Sequence, residues 1–135
     1  FSFTEYSLID ENGRETGKVV KIPEKLNYKQ LLKNTIIGCL TVMLDKEKIE
    51  SIKMPEIRTR QDTALWLKIL REGYTAYGLQ QNLAKYRKVS NSISSNKFKA
   101  MYNTWKVYRN IEKLSFFRSS WCFVNYAYNA YRKRI

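Results

Sequence analysis

The chain has 135 residues, 44% of them hydrophobic, which suffices for one buried core and excludes both a disordered chain and two independent domains. Its 25 Lys and Arg against 12 Asp and Glu give a net charge of +13, so its partners are expected to be anionic. There is no His, Cys39 and Cys122 stand apart without metal-ligand spacing, and no apolar run reaches the ~18 to 20 residues of a membrane span; a reduced, cytosolic setting fits best.

Residues 1 to 9, FSFTEYSLI, alternate as a strand does, and residues 17 to 22 read as a second strand. Glu11, Asn12 and Gly13 join them, because Asn-Gly is a strong hairpin signal. This opening run carries no initiator Met and looks like a domain entered in its middle. Asn27 followed by Gln30 predicts a capping pair that starts a short helix through Leu32. Thr35 to Leu44 is nearly all apolar and β-branched, as a buried strand is. Gly38 inside it marks the close approach of a backbone or a ligand, and Cys39 is expected to pack in the core.

The run from Met54 to Gly73, MPEIRTRQDTALWLKILREG, is the most informative. Leu65, Trp66, Ile69 and Leu70 recur at spacings of three and four, and Gly73 stops the helix they define. Asp62 falls in its first turn, where unpaired backbone N–H groups and the helix dipole favour negative charge. On an arbitrary helix such an acid is structural, worth ~0.5 to 1 kcal/mol. Here Arg58 and Arg60 precede it, and Trp66, four residues on, shares its side of the helix. A carboxylate so placed could take the proton of a sugar hydroxyl while the indole stacks on the sugar. Cations and dipole lower its pKa, desolvation raises it, and the sequence leaves the balance open.

Tyr74 to Leu79 and Leu83 to Arg87 read as two short strands, and Lys88 to Asn96, rich in Ser and Asn, as a loop. Its hydroxyls and cations suit phosphate oxygens, and a solvated linker fits equally well. Residues 96 to 135 hold nine Lys or Arg against one acid, Glu112, together with eleven aromatic rings. Phe98, Met101, Tyr102, Trp105 and Tyr108 follow helical spacing, as do Phe117, Trp121, Val124, Tyr128 and Tyr131, with a break near Leu114 and Ser115. Most rings should pack against the rest of the chain. The second helix carries more of them than one buried stripe holds, which suits an in-plane helix on an anionic membrane or a partner surface. Basic residues among aromatics would also suit nucleic acid, although less well here.

The segments IIGCLTVMLDKEKI, MPEIRTRQDTALWLKILREGYTAYGL and LAKYRKVSNSISSNK, in this order and spacing, resemble the C-terminal half of a family 2, GT-A type glycosyltransferase of bacterial surface-polysaccharide synthesis. The resemblance covers nearly all of the chain and is most specific at residues 54 to 95. It implies a transfer from a nucleotide-sugar to a saccharide or lipid-linked acceptor, commonly with inversion, in which the Asp of an acidic pair is the general base. Here the pair is Gln61 and Asp62, so the first acid is replaced and Asp62 is the base candidate. Arg60, Trp66 and Gly38 would lie on the acceptor side, where Cys39 is a second candidate wall residue although core packing suits it better. Tyr86, Arg87, Ser90 and Ser94 would belong to a loop closing over the donor phosphates. The Asp-x-Asp metal motif of such enzymes is absent from these residues, so the donor half and its Mg or Mn are expected upstream, with no metal held by this chain. A Gln-x-x-Arg-Trp motif is also missing, which implies one sugar added per encounter.

The expected fold is therefore α/β: residues 1 to 95 form the acceptor-side half of a GT-A-like mixed sheet with flanking helices, and residues 96 to 135 a basic, aromatic helical tail. The isolated chain should be inactive, self-associate through an exposed sheet edge, and work in the cytoplasm, peripheral to the inner face of the membrane. A non-enzymatic basic module for nucleic acid or anionic membrane is the alternative.

Overall fold

The computed structural model describes residues 1–93 and 95–133; Ser94, Arg134 and Ile135 lie outside the described residues. Four strands, β1 (Ser2–Ile9), β2 (Glu15–Val20), β3 (Lys25–Leu26) and β4 (Ala76–Arg87), form one mixed sheet in the order β2-β1-β4-β3. β1 runs antiparallel to β2 and parallel to β4, while β3 is antiparallel to β4. Four helices accompany the sheet: α1 (Tyr28–Lys33), α2 (Gln61–Arg71), α3 (Lys97–Lys106) and α4 (Phe116–Arg132). The expected α/β class is borne out.

Local signals explain most of the elements. β1 alternates buried and half-buried residues along its length, with the polar Glu5 and Ser7 on the buried side between Phe3 and Ile9. Its turn to β2 is fixed by Asp10, whose carboxylate accepts the N–H groups of Asn12 and Arg14 at 2.9 Å, and by Gly13 at φ +84°. Asn27 and Gln30 make the reciprocal capping box that opens α1. Ser115 caps α4, so the predicted break between the tail helices falls where expected, after a π-helical turn at Val107–Ile111.

Two expectations need correction. Thr35 to Leu44 is not a buried strand. It pairs with the sheet only through a bridge between Ser2 and Met43 and turns through a 3₁₀ helix at Cys39–Thr41, with Cys39, Leu40 and Met43 exposed. A β-branched run without a neighbouring strand to bond has no reason to stay extended. The two short strands after α2 are one, β4. Thr4 pairs with Leu79, Glu5 with Asn82 and Tyr6 with Ala84, so the extra residues on β4 form bulges where a gap was expected.

The core centres on α2, of which Thr63, Ala64, Leu65, Trp66, Leu67, Ile69 and Leu70 are all buried. Phe3, Leu31, Leu32 and Ala76 meet it from the first part of the chain, and Val107, Tyr108, Leu114 and Cys122 from the tail. The Tyr108 hydroxyl donates to the Leu32 carbonyl. Residues 1 to 95 and the tail thus share one core.

Candidate active site

A cleft of ≈ 860 Å³ opens at the N-terminal end of α2. Gln61 and Asp62, the first two residues of the helix, lie in it, with Arg58, Thr59 and Arg60 from the approach to the helix. Gly38 and Cys39 form one wall, Tyr6 and Tyr86 line it from β1 and β4, and Ser92, Ile93, Ala100 and Asn103 close the tail side. The chain reaches α2 through Arg60, which has left-handed backbone geometry, φ +63°, at the N-cap position and gives no side-chain cap. Such a backbone costs on the order of 1 to 2 kcal/mol for a residue with a Cβ, and tertiary bonding holds it. The Arg60 Nη2 donates to the Tyr126 hydroxyl of α4 at 3.0 Å.

The helix end supplies Asp62 with its partner, since the carboxylate Oδ1 accepts the Thr63 N–H at 2.8 Å. Cys39 reports the same charge from the opposite wall: partial desolvation and, second, the nearby Asp62 carboxylate push its thiol pKa up. Tyr6 is raised likewise, by burial and then by Tyr86, whose ring lies 6.0 Å away between centroids. Gly38 meets the expectation of a close approach in a particular way. A Cβ there would sit 2.9 Å from Cε1 of Tyr6, so the wall is thin where the tyrosine ring turns into the cleft.

The structure brings Asp62, Arg60, Gly38 and Tyr86 together and separates the other predicted residues from them. Trp66 is 3% exposed and packs on Phe1 at 5.6 Å between ring centroids, in the core and not in the cleft. Helical spacing put it on the side of Asp62, but the residues of α2 from Thr63 to Leu67 are all buried, so the side that Asp62 shows to the cleft is covered by the time the helix reaches Trp66. Cys39, expected in the core, is exposed at the cleft wall. Arg87 donates to the Glu11 carbonyl at 2.8 Å, and the Ser90 N–H and hydroxyl both donate to the Glu11 carboxylate, at 2.8 and 2.7 Å. Their donors face the β1–β2 turn instead of the cleft. Ser94 lies outside the described residues. Tyr6, Ser92 and Asn103 are cleft residues that the sequence did not single out; for Tyr6 the strand alternation, which sends it to the face opposite Phe3, was the available signal.

Among the described residues no three His, Cys, Asp or Glu side chains come together to hold a metal ion. No helix among them is long and apolar enough to cross a membrane.

Comparison with known proteins places this site in context. The chain is 58% identical over all of its 135 residues to the teichuronic acid biosynthesis glycosyltransferase TuaG of Bacillus subtilis, covering 54% of that protein. It is 40% identical over 108 residues, 79% of the chain, to 42% of the UDP-Glc:alpha-D-GlcNAc-diphosphoundecaprenol beta-1,3-glucosyltransferase WfgD of Escherichia coli. An uncharacterized glycosyltransferase of Haemophilus influenzae is 30% identical over 95% of the chain and 51% of its own length. No family model and no solved structure matches. The chain spans about half the length of the curated relatives it matches. With these relatives along its whole length, the chain belongs with the bacterial glycosyltransferases, as a stretch equal to about half of such a protein.

Proposed function

We propose that this chain is the acceptor side of an enzyme that transfers a sugar from a nucleotide-sugar to a saccharide or lipid-linked acceptor, with Asp62 as general base. The observation that carries the reading is the position of Asp62: it is the acid on the first turn of α2 and lines a cleft it shares with Arg58 and Arg60. The carboxylate takes the proton of the acceptor hydroxyl as that oxygen bonds to the anomeric carbon, while the bond from this carbon to the diphosphate oxygen breaks and the nucleoside diphosphate leaves with its electron pair. Attack opposite the leaving group inverts the anomeric configuration.

A lipid-linked acceptor has support beyond the names of the relatives. Arg60 and Ala100 belong both to the cleft and to a neighbouring groove of ≈ 300 Å³ between α3 and α4, lined also by Lys97, Met101, Ala127 and Ala130. The Tyr126 and Tyr131 rings line it too, and cations beside alanines, a methionine and aromatic rings suit a diphosphate followed by hydrocarbon. On the donor side, Tyr86 is at the cleft, and Arg87 and Ser90 would join it only by leaving Glu11. A divalent cation, Mg²⁺ or Mn²⁺, would steady the leaving diphosphate from residues outside this chain. The chain alone is then inactive. The β2 edge, exposed along Glu15–Val19, is the expected route of self-association. A non-enzymatic basic module is not favoured, because the relatives named above are glycosyltransferases.

The test is transfer by the full-length enzyme carrying Asp62→Asn, which keeps shape and removes basicity. Transfer should fall ~10²- to 10⁴-fold with nucleotide-sugar binding retained. Unchanged transfer would reduce Asp62 to a helix-terminal acid.

A further inference from the structure

Helix α4 is apolar on two opposite sides. Ser119, Cys122 and Tyr126 are buried against the rest of the chain. Phe117, Trp121, Val124, Tyr128 and Tyr131 recur at spacings of four and three on the other side and are exposed by 85, 62, 62, 60 and 63%. At 100° per residue these five fall within ~80° of arc, centred opposite the buried three, and run ~21 Å along the helix. A soluble helix needs one apolar stripe, and this second one is complete and faces outward.

The charges around the stripe are all of one sign. Lys33 lies over the Trp121 ring at 5.9 Å and Arg132 over the Tyr128 ring at 5.9 Å, while Arg118 is exposed beside Phe117. The sole acid of residues 96 to 133, Glu112, has a fully buried side chain bonded to Arg71 at 2.7 Å and to the Tyr28 hydroxyl at 2.6 Å. The tail's surface thus shows cations and rings with no carboxylate of its own to offset them.

We propose that this outward face of α4 docks on an anionic lipid bilayer, the helix lying in the membrane plane with its rings at headgroup depth and Lys33, Arg118 and Arg132 on lipid phosphates. The charge pattern selects this occupant. A second copy meeting the same face would bring these cations together with no acid to pair them. A nucleic acid strand needs a groove that tracks its phosphates, whereas the stripe is a convex ridge. The proposal stands apart from the role of Asp62, since it concerns binding and not transfer.

The experiment is flotation of the 135-residue chain with vesicles of phosphatidylcholine alone or with a third phosphatidylglycerol, at low and high salt. Binding is expected to the anionic vesicles, weakened by salt, with a blue shift of tryptophan emission that Trp121→Phe removes, because Trp66 is buried and Trp105 is packed between Phe116 and Phe123. Phe117→Ser with Trp121→Ser and Tyr128→Ser, all at exposed positions, should weaken binding on the order of a hundredfold, each ring counting about fivefold. Arg118→Gln with Arg132→Gln should weaken it about fivefold per charge. Circular dichroism confirms that each variant stays folded. No flotation with anionic vesicles overturns the proposal, as does equal flotation of the ring variant. So would tighter binding to a single-stranded oligonucleotide than to the vesicles, or a Trp121 blue shift that follows protein concentration without lipid.

Discussion

Cys39 and Asp62 face one cleft, and the thiol offers a direct reading of the carboxylate. Cys39 is exposed and its pKa is raised by desolvation and then by the Asp62 charge. Removing that charge lowers the thiol pKa, so Asp62→Asn should speed alkylation of Cys39 at a fixed pH near neutrality, with buried Cys122 unreactive in the folded chain. Mass spectrometry of the alkylated chain checks this, and an unchanged rate would mean that the two groups do not sense each other. Glycines separate in the same way by what stands next to them. At Gly78 a Cβ would sit 2.0 Å from the Pro23 carbonyl oxygen, a backbone atom, whereas at Gly38 its closest neighbour is the edge of the Tyr6 ring. Gly78→Ala should cost ~1 to 3 kcal/mol in denaturant unfolding, and Gly38→Ala less than ~1 kcal/mol, because a tyrosine ring yields more easily than the Pro23 backbone pressed against the paired strand β4.

At the scale of elements, the loop after β4 is fastened to the β1–β2 turn by Glu11. Two hydrogen bonds from Ser90 lower the Glu11 pKa below its ordinary 4.5, with the N–H first and the hydroxyl second. A carboxylate whose folded pKa is depressed contributes above the unfolded value and loses that contribution as pH falls through the folded one. The fastening should therefore hold at neutral pH and release below about pH 4.5, and Glu11→Gln should release it at neutral pH. Limited proteolysis within residues 88 to 93 is the measurement, and cleavage unaffected by Glu11→Gln would refute the fastening. This contact also shows what the sequence could and could not reveal. The Asn-Gly turn, the Asn27 and Gln30 box, α2 and the break before Ser115 are local, and each was legible because neighbouring residues decide it. Asp62 and Arg60 could be picked out for the same reason. Arg87 and Ser90 were assigned to phosphate by the resemblance and by the composition of the loop after Arg87, but their partner lies more than 75 residues away, where no local pattern points. Trp66 misled because spacing gives the face of a helix and says nothing about how many faces the fold covers. Thr35 to Leu44 misled because an apolar run looks the same whether or not a strand stands beside it.

Across the whole molecule, Glu112 joins the tail to both helices of the first part: its carboxylate takes Arg71 at the end of α2 and Tyr28 at the start of α1. Burial and then this bond raise the Tyr28 pKa. Arg71→Met would leave a buried carboxylate with one neutral donor. It should lower stability by ~1 to 3 kcal/mol, below the range for a fully buried pair because Arg71 is half exposed. Since tail and sheet share a core, unfolding should remain one transition by fluorescence and circular dichroism alike. Two separated transitions would show that the tail folds apart. Light scattering at rising concentration should show self-association through the β2 edge, without change in Trp121 emission, and a monomer throughout would count against that edge. The bond from Arg60 to the Tyr126 hydroxyl has a wider consequence. Arg60 lines the cleft, and Tyr126 sits on the buried side of the helix whose other side is bare. Any anion that draws the guanidinium inward takes a partner from α4, and any surface that fixes α4 sets where the guanidinium can reach. By linkage the two effects are one free energy: whatever factor occupancy of the cleft has on affinity at the tail, tail contact has the same factor on affinity in the cleft.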